Sequence, residues 1–491
     1  MAAYDLLIKN VHVVTPDGGE PEPADIAVSG GRISRIAAGL PAAHAAAVVD
    51  GAGRHAFPGV VDAHQHWGIY HPVERDAESE SRACAQGGVT TALTYTRTGQ
   101  YYLNQGGPYA DFLPKLLAAA EGRAYVDYAF HVAPMSRQHI GELPQLIDEF
   151  GVSSFKIFMF YGGFGLHGAS SSQREFLMIP DGEFYDYAHF EFVMRGVQAA
   201  RLRFPEVAGD ISLSLHCETA EIMRAYTEMV QEEGRLSGLE AYSAARPPHS
   251  EGLAVAIAAY LAHETGLPAI NLLHLSSAKA MESALTMARA FPHIDFRREV
   301  TIGHLLASYD TASGIGGKVN PPLRSQDDVA RLWEHLLAGD VDWVVSDHAC
   351  CQEETKFGEP PDDVFAAKSG FGGTEYVLPG LITAGVPRGL SLAAVAQLTA
   401  ANPARRFGLH NKGILAEGYD ADVALVDLDD PWTVHAADSQ SAQEYTPFEG
   451  FAMTARVTDT FVRGTRVLAD GTVAGQPAGR YLRRPYHGQA D

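Results

Sequence analysis

The sequence predicts an α/β fold: a (β/α)8 barrel of the TIM type, joined to a smaller β-sandwich domain built from both chain termini. Three observations support this prediction. Short apolar strands alternate through the middle of the chain with Ala- and Leu-rich helical stretches such as "EGLAVAIAAYLAHETG". This middle section is about 350 residues long, which fits a barrel with insertions. Both ends of the chain instead alternate apolar and polar residues between Gly-rich turns, as short antiparallel strands do.

The predicted elements follow in order along the chain. "YDLLIKNVHVVTPDGG" and "DIAVSGGRISRIAAGL" predict the first strands of the small domain, within residues 1–57. Residues 58–410 form the predicted barrel, with "SLAAVAQLTAANPARRFGL" as a helical stretch near its end. Residues 411–491 return to the strand pattern in "DADVALVDLDD" and "ARVTDTFVRGTRVLADGTV", and complete the small domain.

Composition argues against several classes of partner. Among 491 residues, 60 acidic residues outnumber 37 basic ones, and the formal charge of −23 repels phosphate backbones and anionic lipids. We therefore expect neither nucleic acid nor membrane as a partner. The start, "MAAYDLLIKN", lacks the segments of a signal peptide, and no apolar run approaches the roughly 20 residues that span a bilayer. Four cysteines do not make a disulfide framework, so the cytoplasm is the expected compartment.

Five apolar runs of the middle section end in residues that can bind metal. One of them, "FPGVVDAHQHWG", carries two histidines spaced i, i+2, whose rings point the same way on an extended strand and suit chelation of one cation. The carboxyl ends of barrel strands open onto one face, so these side chains should converge there. A single histidine at a strand end is more often structural, but six such residues are hard to explain by core packing. The candidate ligands are His64, His66, Lys156, His216, His274 and Asp347.

The strand "SSFKIFMFYGG" is unusual because it places Lys156 among aromatic and aliphatic side chains. Burial of an unpaired ammonium is costly, so the ordinary explanation is a side chain that reaches the surface. The next segment, "GGFGLHGASSSQREFLMIPDG", contains GxGxxG at Gly163, Gly165 and Gly168, a pattern of dinucleotide-binding oxidoreductases. Its Ser-rich continuation is a poor helix for a pyrophosphate. We predict instead that residues 162–180 form a lid, whose shortening changes substrate preference without changing metal content.

Several segments resemble the cyclic amidohydrolases, in particular the hydantoinase/dihydropyrimidinase group of the amidohydrolase superfamily. The resemblance lies in "PGVVDAHQH", "FKIFMFY", "LHCE", "LLHLSS" and "VVSDHA", and continues in "KVNPPLRSQDDVARLWEHLLAGDVD" and "NPARRFGLHNKGILAEGYDADVALVD". Order, spacing and flanking segments match over nearly the whole chain. The resemblance implies a metal-dependent hydrolase that opens a cyclic amide, such as a hydantoin or a dihydropyrimidine-like ring.

The resemblance also implies a centre of two divalent metal ions. Lys156 would react with carbon dioxide to form a carbamate that bridges the ions, since a hydrophobic setting leaves neutral amine available. A hydroxide shared by the two ions would attack the ring amide. Nitrogen and oxygen ligands favour zinc, with manganese or cobalt as alternatives. The ligands implied are His64, His66 and Asp347 for one ion, and His216 and His274 for the other.

Further residues receive roles from the same resemblance. Asp347 would take a proton from the attacking water and return it to the leaving nitrogen. Tyr161 would donate a hydrogen bond to the developing oxyanion, or would simply cap the strand as a half-buried ring. Asn320 stands where hydantoinases commonly have serine, and Ser369 where their substrate loop has asparagine, so both are candidate substrate contacts. Trp67 follows the histidine pair in place of the arginine of dihydroorotases, which disfavours a carboxylate-bearing ring.

Alternatives to the hydantoin-type substrate remain open. The same mechanism could serve another ring, such as allantoin or a cyclic imide. Some relatives that have lost their metal ligands act as non-catalytic oligomeric interaction proteins, but every ligand position is filled in this sequence. Related proteins are dimers or tetramers, so we expect a homo-oligomer, and a homotetramer is the working assignment.

Overall fold

The first strands of the chain belong to a nine-stranded sheet outside the barrel. A computed structural model describes residues 3–161 and 172–485 of the chain. Its first strands are β1 (Tyr4–Val13), β2 (Glu22–Ser29), β3 (Arg32–Ala37), β4 (Ala45–Asp50) and β5 (His55–Pro58). Strand β2 pairs antiparallel with β1 and with β3, as the alternating pattern predicts. Strands β4 and β5 instead run parallel to β1, because the chain crosses over after β3, so the antiparallel prediction is wrong for these two pairings.

Eight parallel strands, neighbours in space in the order of the sequence, form the barrel. They are β6 (Val60–Gln65), β7 (Val89–Thr96), β8 (Asp127–Val132), β9 (Ser154–Phe158), β10 (Ser212–His216), β11 (Ala269–Leu272), β12 (Asp295–Thr301) and β13 (Trp343–Val345). Every residue of β6 to β10 is buried, so these strands lack the in–out alternation of a half-exposed sheet. The barrel closes where Gln65 bridges to His348, and the main-chain N–H of His66 donates to the His348 carbonyl at 2.8 Å.

Helices follow the barrel strands and pack their buried faces against them. They are α1 (Val73–Gln86), α2 (Tyr109–Ala120), α3 (Arg137–Asp148), α4 (Gln173–Leu177), α5 (Tyr187–Arg203), α6 (Ala220–Glu233), α7 (Gly238–Ala245), α8 (Pro248–Thr265), α9 (Ala278–Ala290), α10 (Ile302–Leu306), α11 (Gln326–Leu337), α12 (Glu353–Lys356), α13 (Val377–Gly385), α14 (Leu392–Ala396) and α15 (Asn402–Arg406). A π-helical segment, Gln397–Ala401, joins α14 to α15. Side chains cap several amino termini, as Ser136 does for α3 and Asp186 for α5. Across the described ranges, no helix combines the length and apolar character needed to cross a membrane.

The last strands of the chain complete the sheet that the first strands begin. They are β14 (Val423–Asp427), β15 (Trp432–Thr433), β16 (Ala452–Met453), β17 (Arg456–Val462), β18 (Thr465–Ala469) and β19 (Thr472–Val473). Strand β14 pairs antiparallel with both β5 and β17, which joins strands from the two ends of the chain. Strands β15 and β16 form a separate two-stranded sheet. The predicted fold class is therefore confirmed: a parallel eight-stranded barrel and a separate, largely antiparallel sheet.

Packed apolar side chains fill the interior of the barrel. Leu93, Trp343 and Phe407 belong to this cluster, so the interior of the barrel is a packed core and not a channel. A larger core lies between the strands and the surrounding helices. The GxGxxG sequence and much of the predicted lid fall in residues 162–171, outside the described residues, so the lid stays a prediction.

Candidate metal centre and substrate pocket

Five of the six candidate ligands lie at or just after the carboxyl ends of four barrel strands, and the sixth, Lys156, lies in the middle of a fifth strand, β9, rather than at its end. Two come from β6 and the residue after it, one from the middle of β9, one from the last residue of β10, and one each from the turns after β11 and β13. The two turn residues, His274 and Asp347, have positive φ angles of 35° and 56°. Such conformations are uncommon for residues other than glycine and concentrate at functional sites. The structure thus brings all six side chains to one mouth of the barrel.

His64, His66 and Asp347 form the tightest group of possible ligands. Their donor atoms all lie within 4.8 Å of one another. Asp347 Oδ1 is 3.1 Å from His64 Nε2 and 3.3 Å from His66 Nε2. Burial lowers the pKa of both histidines well below its ordinary value, so both rings are neutral and offer a lone pair. Two imidazoles and a carboxylate suit a divalent transition metal.

His216 and His274 form a second pair beside this group. Their ring centres are 4.3 Å apart, and the His274 ring is 5.3 Å from that of His64. His274 Nδ1 is buried and has no hydrogen-bond partner within residues 3–161 and 172–485, a costly arrangement that a bound ligand would relieve. His216 Nε2 lies 2.6 Å from Glu218 Oε2, so Nε2 holds the proton and Nδ1 keeps its lone pair.

Lys156 lies beside both histidine groups with only 1% of its surface exposed. Its Nζ is 3.0 Å from His64 Nε2 and 4.0 Å from the centre of the Tyr95 ring, and it forms no ion pair with any described residue. Burial lowers the pKa of Lys156 to about 7, although Asp347 and Glu299 favour the charged amine. The side chain therefore does not reach the surface, and its burial favours the neutral amine.

Glu299, in β12, is a buried carboxylate behind the centre that sequence reasoning missed. Its Oε1 accepts from His64 Nδ1 at 2.7 Å and from the main-chain N–H of His274 at 3.1 Å. The first contact keeps the proton of His64 on Nδ1 and leaves Nε2 facing Asp347. Glu299 could have been predicted from the strand "DFRREVT", because it is a charged residue in the apolar, buried half of that strand.

A cavity opens in front of these groups, with about 450 Å³ of space when its solvent-open mouth is included. Five of the six candidate ligands line it, and His64 lies behind them. The three candidate substrate contacts, Tyr161, Asn320 and Ser369, line the same cavity. The aromatic rings of Phe158 and Phe160 supply apolar walls, so the size and lining suit a small ring compound with a few polar atoms.

A buried arginine lies beside Tyr161. Arg97, just after β7, donates from Nε to the Tyr161 hydroxyl at 3.3 Å, and its guanidinium lies 5.6 Å from the centre of the Tyr102 ring. Only 1% of Arg97 is exposed, and within the described part of the chain no carboxylate pairs with it. Sequence reasoning missed this residue because one arginine in "TYTRTGQ" follows no diagnostic spacing.

Comparisons with known proteins agree with this geometry. The model of the amidohydrolase family matches residues 210–467. An allantoinase of Desulfitobacterium hafniense (strain DSM 10664 / DCB-2) is 34% identical over 489 residues, which cover 98% of this chain and 99% of that protein. An allantoinase of Rubrobacter xylanophilus is 32% identical over 490 residues, 98% of each chain. The solved L-hydantoinase (dihydropyrimidinase) from Arthrobacter aurescens superposes with a TM-score of 0.82 at 29% identity, covering 97% of this chain and 99% of the other.

The matches to the two allantoinases and to the solved hydantoinase run almost from end to end, so they include the barrel, the second sheet and the segments that carry the ligand-bearing strand ends. They confirm the resemblance first seen in the motifs, and the enzyme relatives outweigh the non-catalytic alternative. The chain belongs to the amidohydrolase family, as one of its cyclic amidohydrolases, and is a hydrolase.

Proposed function

We propose that this hydrolase opens a five-membered cyclic amide by adding water across one ring amide bond, with allantoin as the first candidate substrate. The observation that carries the proposal is Lys156, a buried amine without an ion pair among the described residues, in contact with His64 at the barrel mouth. Relatives named allantoinase favour allantoin over the hydantoin and dihydropyrimidine rings that the motifs suggest, which become second candidates.

The residues at the barrel mouth fit a binuclear metal centre. His64, His66 and Asp347 supply three donor atoms within 4.8 Å of one another. The unpartnered Nδ1 of His274 and the bare Nδ1 of His216 supply donors for a second ion. Two bound zinc ions, or manganese or cobalt in their place, would activate water for attack and polarise the ring carbonyl.

Lys156 is suited to carry a carbamate between the ions. Its neutral Nζ would form a bond to the carbon of carbon dioxide and release one proton, so a neutral amine would become an anion with two oxygen donors. Burial lowers the pKa of Lys156 to about 7, which supplies the neutral amine that this reaction needs. The ring of Tyr95, 4.0 Å from Nζ, excludes water from one side of the site.

Two further side chains act on the substrate itself. Asp347 accepts a proton from the attacking water and delivers it to the ring nitrogen as the carbon–nitrogen bond breaks. Its carboxylate lies at the cavity wall, 8% exposed, between the ligand group and the substrate space. Tyr161 donates a hydrogen bond to the carbonyl oxygen as that atom gains negative charge. Asn320 and Ser369, which also line the cavity, contact the bound ring.

The proposal also covers the assembly and the cellular compartment of the protein. The four cysteines are all free and buried, which fits a reducing compartment, and we propose the cytoplasm. We propose a homo-oligomer, a dimer or tetramer, as the resemblance to the hydantoinase/dihydropyrimidinase group implies. Light scattering on the purified protein measures its mass in solution.

A ring-opening screen tests the proposed function. The enzyme is expressed with zinc and bicarbonate, and its turnover is compared on allantoin, hydantoin, dihydrouracil, dihydroorotate and a cyclic imide. We expect the highest kcat/KM on allantoin and measurable turnover of hydantoin. The mass of the peptide containing Lys156, taken under mild conditions, should include one added carbon dioxide. Protein that binds two metals per chain yet opens none of these rings would contradict the proposal.

A further inference from the structure

A continuous chain of buried hydrogen bonds joins the substrate cavity to the metal-binding histidine His216. His216 Nε2 donates to Glu218 Oε2 at 2.6 Å. Arg246 donates two hydrogen bonds to the same carboxylate, from Nε at 2.9 Å and from Nη2 at 2.7 Å. Arg246 Nη1 then donates to the Tyr242 hydroxyl oxygen at 3.0 Å. The Tyr242 hydroxyl donates in turn to Asn320 Oδ1 at 2.5 Å, at the wall of the cavity.

The guanidinium of Arg246 fixes the direction of every bond in this chain. A guanidinium can only donate, so the Tyr242 oxygen must accept from it and must send its own proton elsewhere. The Tyr242 hydroxyl lies 2.5 Å from Asn320 Oδ1 and 3.3 Å from Ser369 Oγ, and the much shorter contact, to Asn320 Oδ1, receives the proton. At the other end the Glu218 carboxylate can only accept, so the proton of His216 stays on Nε2. Arg246, Glu218 and Tyr242 are all buried, which shields this polarity from water.

The orientation of the Asn320 amide follows from this polarity. Asn320 Oδ1 accepts from Tyr242 and also from the Ser369 hydroxyl at 3.2 Å, so both contacts engage the oxygen side of the amide. The amide nitrogen, Nδ2, has no protein partner among the described residues, and Asn320 lines the cavity. The pocket therefore presents two N–H groups of Asn320, where a serine would present one hydroxyl that can either donate or accept.

We propose that Asn320 Nδ2 is a substrate-binding donor that selects rings with a carbonyl oxygen besides the one attacked, and that Tyr242 and Arg246 are positioning residues for it. This inference rests on the proposed function. This oxygen could belong to a carbonyl of the ring or to a carbonyl on a substituent, because both are uncharged hydrogen-bond acceptors. A site with a fixed donor rejects ligands that lack the matching acceptor, because the bound ligand then covers N–H groups that have no partner.

Kinetics of two variants test this inference, with allantoin and unsubstituted hydantoin as the probes. Asn320→Asp replaces the donor by an acceptor of the same shape, and Tyr242→Phe removes the bond that orients the amide while keeping the Arg246–Glu218 pair. We expect KM to rise about tenfold for Asn320→Asp and about threefold for Tyr242→Phe, with kcat and metal content nearly unchanged. A rise for allantoin alone places the contact on its substituent, and an equal rise for both probes places it on the ring; either result supports the donor.

A double variant and a matched control complete the test. Tyr242→Phe should have no further effect on KM in the Asn320→Ala background, because the two residues act through one contact. Tyr260→Phe, at an exposed tyrosine of α8, is the control for loss of a hydroxyl. KM within twofold of the parent in both single variants, or a loss of bound metal that accompanies the KM change, would overturn the inference. Failure of the parent enzyme to open any ring is a different result and contradicts the proposed function instead.

Discussion

The two ends of the barrel each bury a lysine, in opposite surroundings. At the carboxyl end, Lys156 has a histidine nitrogen 3.0 Å away and forms no ion pair with any described residue. At the amino end, Lys412 Nζ lies 2.8 Å from Asp127, 3.2 Å from Asp420 and 2.5 Å from Asp422. Burial lowers the pKa of Lys156 to about 7, whereas these three carboxylates outweigh burial and hold the pKa of Lys412 above its ordinary value.

Two arginines repeat the same contrast. Arg97, at the carboxyl end, contacts the Tyr161 hydroxyl and main-chain carbonyls, while Arg463, at the amino end, forms a salt bridge with Asp127. A buried cation surrounded by carboxylates stays charged and joins the parts of the fold that supply them. A buried cation without carboxylates keeps its hydrogen-bonding or nucleophilic capacity for a ligand. The comparison therefore separates a structural end of the barrel from a chemical end.

Replacing Lys156 tests the chemical end, and we expect the largest effect there. Lys156→Met keeps the length of the side chain but removes the amine that the proposed carbamate requires. Activity should fall roughly 10³-fold or more, the scale seen when one of several cooperating catalytic groups is lost. At least one of the two metals should also be lost, while the free energy of unfolding of the metal-free protein changes little. Steady-state kinetics and metal analysis measure the first two effects. Full turnover would exclude the proposed bridge.

The same substitution at Lys412 tests the structural end. Lys412→Met leaves Asp127, Asp420 and Asp422 facing one another with less positive charge among them. We expect the free energy of unfolding to fall by about 3–5 kcal/mol, the cost of breaking a buried ion pair. Chemical denaturation measures this loss. Turnover per folded molecule and metal content should stay near the parent values. A loss of activity without a loss of stability would contradict the structural role of Lys412.

Replacing Arg97 should have the smallest effect of the three. Arg97→Met removes the cation that donates to the Tyr161 hydroxyl, so kcat should fall about tenfold while metal content is retained. In a Tyr161→Phe background the further loss should be small, because the hydroxyl that Arg97 contacts is already absent. Equal losses in both backgrounds would mean that Arg97 acts independently of Tyr161. Arg463→Met, the matched substitution at the amino end, should lower stability rather than kcat.

The sequence patterns predict the barrel and the identity of the candidate ligands because both are local signals. Apolar strands followed by helices, and histidines at strand ends, can be read within short windows. The convergence of six such side chains at one mouth follows from barrel topology, and the structure places them there, although their roles as ligands stay a prediction.

Other features could not be predicted because they depend on contacts between distant segments. Lys412 follows the barrel in the sequence, yet its side chain contacts Asp127 at the start of β8. Glu299 in β12 contacts His64 in β6. Neither contact leaves a periodic pattern in its own neighbourhood. The parallel pairing of β4 and β5 with β1 could not be predicted from their own residues either, because an alternation of apolar and polar residues does not distinguish parallel from antiparallel strands.

The pairing of β5 with β14 has a consequence for how the chain is made. The ribosome synthesises β5 before the barrel and β14 only after it. The edge of β5 that pairs with β14 therefore stays unpaired while the barrel is synthesised. An exposed edge invites pairing with other nascent chains. The finished molecule hides this edge completely, so the period of greatest exposure to aggregation lies during translation, before the last strands emerge.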